Sequence, residues 1–303
     1  MQIVLFMGLV CAVAISGAAH AEEADIGNGL EVSIGTVYLK RQSTDGIVMT
    51  PPTGTPGTLL TGDNFNFDRE FGPDISARWK IDPDWSIEGR YFSSKSDAGY
   101  LIPSITTFRT AGIGVTILGG GSIDSSFSSE LGSGELSLVR NLVPGVSVLA
   151  GFRHLGLDES LRSNIATPIT YVSWDEENDL YGGQLGLKLG FQAPSLPLEF
   201  NATVKGGGYR NSVSNQFRST IVGSDATSGS KMAYSGEIDL SATYHLNERF
   251  SITAGYSSLW LKNVALGDRQ AEATIQVPGG TSSPLAYDDV RYDAFSIGAN
   301  IDF

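Results

Sequence analysis

The last eleven residues, Asp293 to Phe303 (DAFSIGANIDF), alternate without a break. Phe295, Ile297, Ala299, Ile301 and Phe303 share one parity; Ala294, Ser296, Gly298, Asn300 and Asp302 share the other. A strand turns successive side chains to opposite faces, so this stretch has one apolar face and one polar face. Chain ends ordinarily fray. An alternating strand that runs to an aromatic last residue needs a pairing partner and apolar surroundings. The same period recurs nine times upstream, in the runs 30–38, 71–81, 85–91, 136–142, 146–152, 185–191, 198–204, 238–244 and 250–260.

The connections alternate as well. Asp82-Pro83-Asp84, Val143-Pro144-Gly145, residues 193–197 and Asn247-Glu248 carry tight-turn chemistry, whereas 41–63, 96–125, 157–178, 211–231 and 264–286 are long, polar and rich in Gly, Ser, Thr and Pro. Short turns at one end and long loops at the other are the asymmetry of an outer-membrane barrel. The expected fold class is therefore all-β: a transmembrane, antiparallel, up-and-down β-barrel of about ten strands, with short periplasmic turns and long extracellular loops. The apolar stretch Ile105–Leu118 is expected to extend two strands above the membrane. Folding it into the lumen, or adding a hairpin for a count of twelve, are the alternatives.

Periodicity alone does not separate a barrel from a soluble sandwich. The polar parity holds Glu31, Asp74, Arg78, Lys80, Glu88, Arg90, Glu135, Arg153, Lys188, Glu199, Lys205, Glu237 and Asp239, which a lipid-facing barrel would turn into its lumen. The aromatic residues favour the barrel. Trp79, Trp85 and Phe250 sit at short-turn ends and Tyr256 and Trp260 near long-loop ends, as two membrane-interface girdles require. From Phe250 to Trp260 a strand at ~3.3 Å per residue and ~40° tilt climbs roughly 25 Å, the height of an outer-membrane apolar band. A barrel leaves no open edge in lipid, so the last strand must pair with the first. Phe303, with Ile301, Ile297 and Phe295 behind it, also resembles the C-terminal signal by which barrel assembly machinery recognises bacterial outer-membrane proteins.

The other end supplies a compartment. Ile3–Ala18 is an apolar run followed by Ala19-His20-Ala21, the small-x-small pattern of a signal-peptidase site. Residues 1–21 are expected to be a cleaved signal peptide and 22–303 a single barrel domain in the bacterial outer membrane. The run lacks the preceding Lys or Arg usual in such leaders. The only cysteine, Cys11, falls within it, so disulfides and cysteine chemistry are excluded from the remainder. A net charge of −13 argues against nucleic-acid binding.

Three segments, GFRHLGLDE (Gly151–Glu159), ENDLYGGQLGLKL (Glu177–Leu189) and GYSSLWLKNVALGDRQ (Gly255–Gln270), resemble strands of the Legionella-type major outer-membrane proteins and related planctomycete outer-membrane barrels. The third departs after Asn263-Val264, where related barrels often carry Pro-Gly. The resemblance implies a pore-forming or structural surface protein that contacts outer-membrane lipid and lipopolysaccharide, and not an enzyme.

The residues agree about catalysis. Of the two histidines beyond the leader, His245 has inward parity near the periplasmic end. His154 has outward parity near the upper rim, with Asp158 four residues on and no identifiable nucleophile. No cofactor or metal is expected. The acidic string Asp175–Asp179 and the pair Asp288-Asp289 are read as solvated loop ends, with Ca²⁺ or Mg²⁺ bridging to lipopolysaccharide as the alternative. Gly206-Gly207-Gly208 lacks the Lys-Ser/Thr of a phosphate loop and is expected to give a strand room beside bulky lumen groups. Two functions remain open. The expected one is a porin-like passive channel for small polar solutes, supported by inward charge and favoured by the resemblance. The other is a closed structural or adhesive barrel displaying long loops, supported by the near balance of those charges, which could pair across a narrow interior.

Overall fold

The computed structural model describes residues 29–51, 57–110, 113–165, 167–277 and 284–303, with side chains of 113–119 and 167–169 left aside. The expected leader, 1–21, lies outside the described residues. Ten strands close into one antiparallel ring: β1 (Leu30–Arg41), β4 (Glu70–Lys80), β5 (Trp85–Thr110), β6 (Ile113–Val143), β7 (Val146–Ile165), β8 (Thr167–Gln192), β9 (Leu198–Ser219), β10 (Gly223–His245), β11 (Phe250–Val264) and β12 (Asp288–Asp302). Each pairs with its sequence neighbour, and β1 also pairs with β12 from Glu31↔Asp302 to Arg41↔Tyr292. The Phe303 amide donates to the Leu30 carbonyl at 2.9 Å, so the last residue sits on the closing seam.

The tight turns form where the sequence placed them. The Asp82 carboxylate accepts from the amides of Asp84 and Trp85, and the Asn247 side chain from those of Arg249 and Phe250. Such Asx turns reverse the chain within two residues. Gly145 supplies the positive φ, 77°, that the third turn needs.

Three of the five expected long loops are not loops. Residues 96–110, 113–125, 157–165, 167–178, 211–219 and 223–231 continue the strands, and β5 and β6 stay paired up to Thr110↔Ile113, the extension expected for 105–118. The wall is therefore lopsided. β5 to β10 run 20 to 31 residues each, whereas β1, β4, β11 and β12 run 11 to 15. The tall strands form an arc, here called the collar, rising above a complete ring.

The remaining two long connections, between β1 and β4 and between β11 and β12, fold inward. The first contains β2 (Ile47–Met49), β3 (Leu60–Thr61) and a 3₁₀ turn at Gly62–Asn64; the second contains helix α1 (Gly267–Gln276). Val48, Met49, Leu60, Phe65 and Phe67 are buried against Phe108, Ile123, Phe127, Leu161, Trp174 and Phe217 of the collar's concave face. Both connections spring from the short side of the wall and cover the apolar inside of the tall side.

The outer face divides by height. Exposed Phe71, Leu136, Phe152, Leu185, Leu187, Phe200, Leu240, Ile252 and Ile297 all have outward parity in the lower ring. A continuous apolar surface of this kind belongs in lipid. Tyr38 stacks on Phe71 and Tyr256 packs tilted against Phe295 at its upper edge, with centroids 4.6 and 5.3 Å apart. Trp79, Trp85 and Phe250 lie at the short-turn edge, and Trp260 stands two outward positions above Tyr256, under the Arg291 guanidinium. Above this band the outward positions of the collar turn polar.

The acidic string 175–179 belongs to strand β8 and not to a loop end: Asp175, Glu177 and Asp179 face out, while Glu176 and Asn178 are buried inside.

Candidate functional site

The interior is built in three levels. The lowest is a cavity of about 1100 Å³ lined by the lower inward positions of β1, β4, β5 and β9 to β12, and it reaches the short-turn end at Pro197, Leu246, Asn247 and Glu248. A chord of charges crosses beside it. Lys188 Nζ contacts both Glu88 oxygens at 2.7 and 2.6 Å, Glu88 accepts from Arg78 at 2.7 Å, and Arg78 reaches Glu31 at 3.0 Å. Behind the chord, against β6 and β7, lies a smaller space of about 490 Å³.

The second level is an ionic layer. Arg90 takes Asp74 with two hydrogen bonds of 2.9 Å, Lys205 donates to both oxygens of Glu135 at 3.1 and 3.2 Å and stands 3.3 Å from Glu237, and Arg153 is paired with Glu237. Gln184 adds a 2.8 Å bond to Glu135 and Arg153 a 2.9 Å bond to the Ser133 hydroxyl. These side chains come from β4, β5, β6, β7, β8, β9 and β10, so the layer ties opposite walls together. Buried charges are tolerable only when paired in this way.

The third level is apolar. Val37, Leu39, Phe92, Leu131, Leu155, Leu157, Leu180, Tyr209, Leu259, Leu261 and Tyr292 point inward and are buried together with Val264 and Leu266, the residues leading to α1. The hydroxyls of Tyr209 and Tyr292 are satisfied by Ser235 at 3.0 Å and Ser129 at 2.9 Å. Above this level the inward connections are fastened by buried polar groups. Asn178 mimics a backbone amide, donating to the Ala265 carbonyl at 2.8 Å and accepting from its amide at 2.7 Å. Glu159 accepts from Gly267 N at the start of α1, where the helix dipole favours a carboxylate, and holds Arg41. Asp268 ties α1 to the other connection through Thr44 Oγ1 at 2.6 Å and Gly46 N at 3.1 Å. Arg269 gathers Asp45, Glu272 and Asp288, and these acids raise its pKa against the opposing effect of burial.

Every charged residue singled out as inward in the sequence lies on the inner wall. Glu31, Asp74, Arg78, Lys80, Glu88, Arg90, Glu135, Lys188, Glu199, Lys205 and Asp239 line the cavity, and Arg153 and Glu237 are buried directly above it. His245 faces Glu199 at 3.6 Å near the mouth. His154 is outside, bonded to Asp179 and stacked on Tyr181 at 4.3 Å. Gly207 faces inward where a Cβ would strike the Tyr209 ring. The fastening residues Arg41, Glu159, Asn178 and Asp268 were not singled out. Only the inward parity of Arg41 in Val37, Leu39, Arg41 hints at such a role.

Residues 103–293, well over half of the chain, match the family described as "Putative beta barrel porin-7 (BBP7)". The chain belongs to this family. Together with the apolar outer band, membership in the BBP7 family makes it a porin-type barrel of the outer-membrane class. Among solved structures, the chain is similar to Ail, the attachment invasion locus protein of Yersinia pestis, at 14% identity and a TM-score of 0.30, covering 91% of this chain and 99% of that one. It is similar to the toluene transporter TbuX of Ralstonia pickettii at 10% identity and TM-score 0.35, covering 91% and 89%. The anion-selective porin from Comamonas acidovorans shows 9% identity and TM-score 0.23, covering 93% and 100%. Similarity this low attaches none of their activities to the BBP7-family chain. No curated protein sequence matches it.

Proposed function

We propose that the protein is a closed barrel of the bacterial outer membrane whose working surface is the collar and the connections above the lipid, displayed for adhesion or envelope architecture. The observation that carries this reading is the filled midsection: Leu155, Leu157, Leu180, Tyr209 and Leu261 are completely buried inside the ring. A hydrated pathway would have to run through that layer, and the ionic layer below it is paired rather than left to passing ions. The second reading, a passive channel for small polar solutes, is favoured by the porin description of the family and by the hydrophilic cavity under the layer. It requires the two inward connections to leave.

On this reading residues 1–21 are a cleaved export signal and the short turns face the periplasm. Phe303 with Ile301, Ile297 and Phe295 addresses the barrel assembly machinery, and the outer band meets phospholipid and lipopolysaccharide. The narrower kinship with Legionella-type and planctomycete barrels belongs to the same proposal. Catalysis does not: among the described residues neither histidine is hydrogen-bonded to a hydroxyl. The test is single-channel current from refolded residues 22–303 in a planar bilayer. A folded, silent barrel is expected. Stable, salt-dependent steps would overturn the closed reading in favour of the channel.

A further inference from the structure

The second inward connection is fastened to the collar by a few buried side chains, and among them the fold leaves one acid unsatisfied. On the inner face of β8, above the membrane band, Asn178 bonds both the amide and the carbonyl of Ala265. Further up the same face, Trp174 donates its indole N–H to Thr274 Oγ1 of α1 at 3.2 Å. Glu176 is buried between these two anchors. Directly opposite it in the β7–β8 register stands Glu159, which accepts from the Gly267 amide at the start of α1 at 3.0 Å. The attachments of the connection to β7 and β8 thus surround a single carboxyl group.

The two glutamates are unequally provided for. Glu159 receives the Arg41 guanidinium of β1, the Ser129 hydroxyl of β6 at 3.0 Å and the Gly267 amide. Glu176 receives one bond, from Asn215 of β9 at 2.6 Å, and its buried Oε2 has no partner. The other groups around the pair supply no second cation. Asp268 of α1 lies 4.0 Å from the same Arg41 guanidinium, with its own Oδ1 unbonded. Arg269 of α1 is taken up by Asp45, Glu272 and Asp288. Tyr292 of β12 is bonded to Ser129, and Asn211 of β9 to Asn178. Asp175 is on the outer face of β8, paired with Arg218. A buried carboxylate without a cation is more stable with its proton on. Burial, and after it the charge of Glu159, accordingly raise the Glu176 pKa well above the ordinary range.

We propose that Glu159 and Glu176 form a one-proton latch on the second connection: while the pair keeps its proton α1 stays seated, and loss of that proton frees Ala265–Gln276 from the collar. Without the proton, two carboxylates in register share a single guanidinium in a site closed to water. Departure of α1 admits water to the bare oxygen of Glu176. The seated state binds a proton that the open state releases. Seating is therefore firmest at and below the ordinary carboxylate range, weakens as pH rises toward the raised value, and levels off beyond it. The latch acts on the seating of α1 and holds whether or not the opened barrel conducts, so it stands apart from the closed-barrel reading.

The test is pulsed proteinase K digestion of the refolded barrel in detergent between about pH 5 and about pH 9, each rate divided by that of an unstructured reference peptide at the same pH. Cleavage within 265–277 is expected to accelerate with pH, by up to about tenfold per pH unit for one proton, while the heat-modifiable barrel band persists. Glu176→Gln should abolish the acceleration, and Glu177→Gln, on the outer face of the same strand, should keep it. Asn215→Leu removes the one bond that favours the charged form of Glu176 and should extend the acceleration to higher pH. The barrel band of each variant shows that it has folded. A pH-independent rate in the wild type would mean that no latch exists. An unchanged acceleration in Glu176→Gln would place the proton elsewhere. Loss of the barrel band in step with cleavage would make the opening global, and any of these three outcomes overturns the proposal.

Discussion

Glu159 of β7 holds Arg41 of β1 with two hydrogen bonds, Nε to Oε1 at 2.5 Å and Nη2 to Oε2 at 3.2 Å, and both side chains are wholly buried. The Arg41 guanidinium also lies over the rings of Phe67 and Phe127, 4.7 and 4.8 Å from their centroids. One carboxylate thus joins the short side of the wall, the tall side and the start of α1. Glu159→Ala leaves a buried guanidinium unpaired, which costs about 3–5 kcal/mol. Urea unfolding in detergent should show that loss, and limited proteolysis should open new cleavage within 265–287. Glu177→Ala, two strand positions above Asp179 on the exposed outward face and with no ion pair among the described residues, should stay within about 0.5 kcal/mol of wild type.

Glu176 gives a pH signature. It lies in the part of β8 above the membrane band, is buried, accepts one bond from Asn215 at 2.6 Å, and leaves Oε2 without a partner. Burial first, and then the charge of Glu159, push its pKa well above the ordinary carboxylate range. The folded state therefore keeps a proton that the unfolded chain releases. The associated stability is complete below the unfolded pKa, about 4.3, and is lost as pH rises toward the folded value. Glu176→Gln should match wild type near pH ~4 and unfold at higher urea near pH ~8, by about 1–3 kcal/mol. Equal midpoints at both values would refute the assignment.

Adjacent glycines of β9 should respond oppositely. A methyl group at Gly207 meets the buried Tyr209 ring, which its bond to Ser235 and its packing hold in place, whereas a methyl group at Gly208 meets nothing within 4 Å. Gly207→Ala is expected to cost about 1–3 kcal/mol and Gly208→Ala to be close to neutral. Thermal melts of the two refolded variants make the comparison.

Phe303 separates assembly from stability. Its ring is 73% exposed to the surroundings, and its seam contact is made by the backbone. Phe303→Ala should lower the heat-modifiable, membrane-inserted fraction in cells several-fold while the purified, refolded barrel keeps its urea midpoint within about 0.5 kcal/mol. A fall in both would make the ring structural rather than a signal.

The ring was legible because its strands contrast strongly from one position to the next; the parity that puts Phe295 and Ile297 outside also puts Glu88 and Arg90 inside. The collar was hidden because its polarity is the reverse of the ring's: in SSFSSELGSG, Phe127 and Leu131 are buried inside with Ser125 and Ser129 while Ser126, Ser128 and Glu130 face out, and the many serines and glycines read as loop. Asn178 and Glu176 read as part of an acidic loop because what makes them interior residues is a backbone segment 87 positions away and an asparagine 39 away. The same holds for Arg41, whose partner lies 118 residues downstream. The charge layer was visible residue by residue. Its pairing across the lumen was not, since Lys188 and Glu88 lie 100 positions apart.

The two segments that fill the upper interior leave from the top of β1 and enter the top of β12, the strands that meet at the seam. Ring closure and interior filling therefore depend on the same two strands. While β1 and β12 stand apart, Arg41 cannot reach Glu159 as it does in the closed wall, and α1 has no complete enclosure to enter. An unfilled interior and an unsealed edge would therefore involve the same two strands.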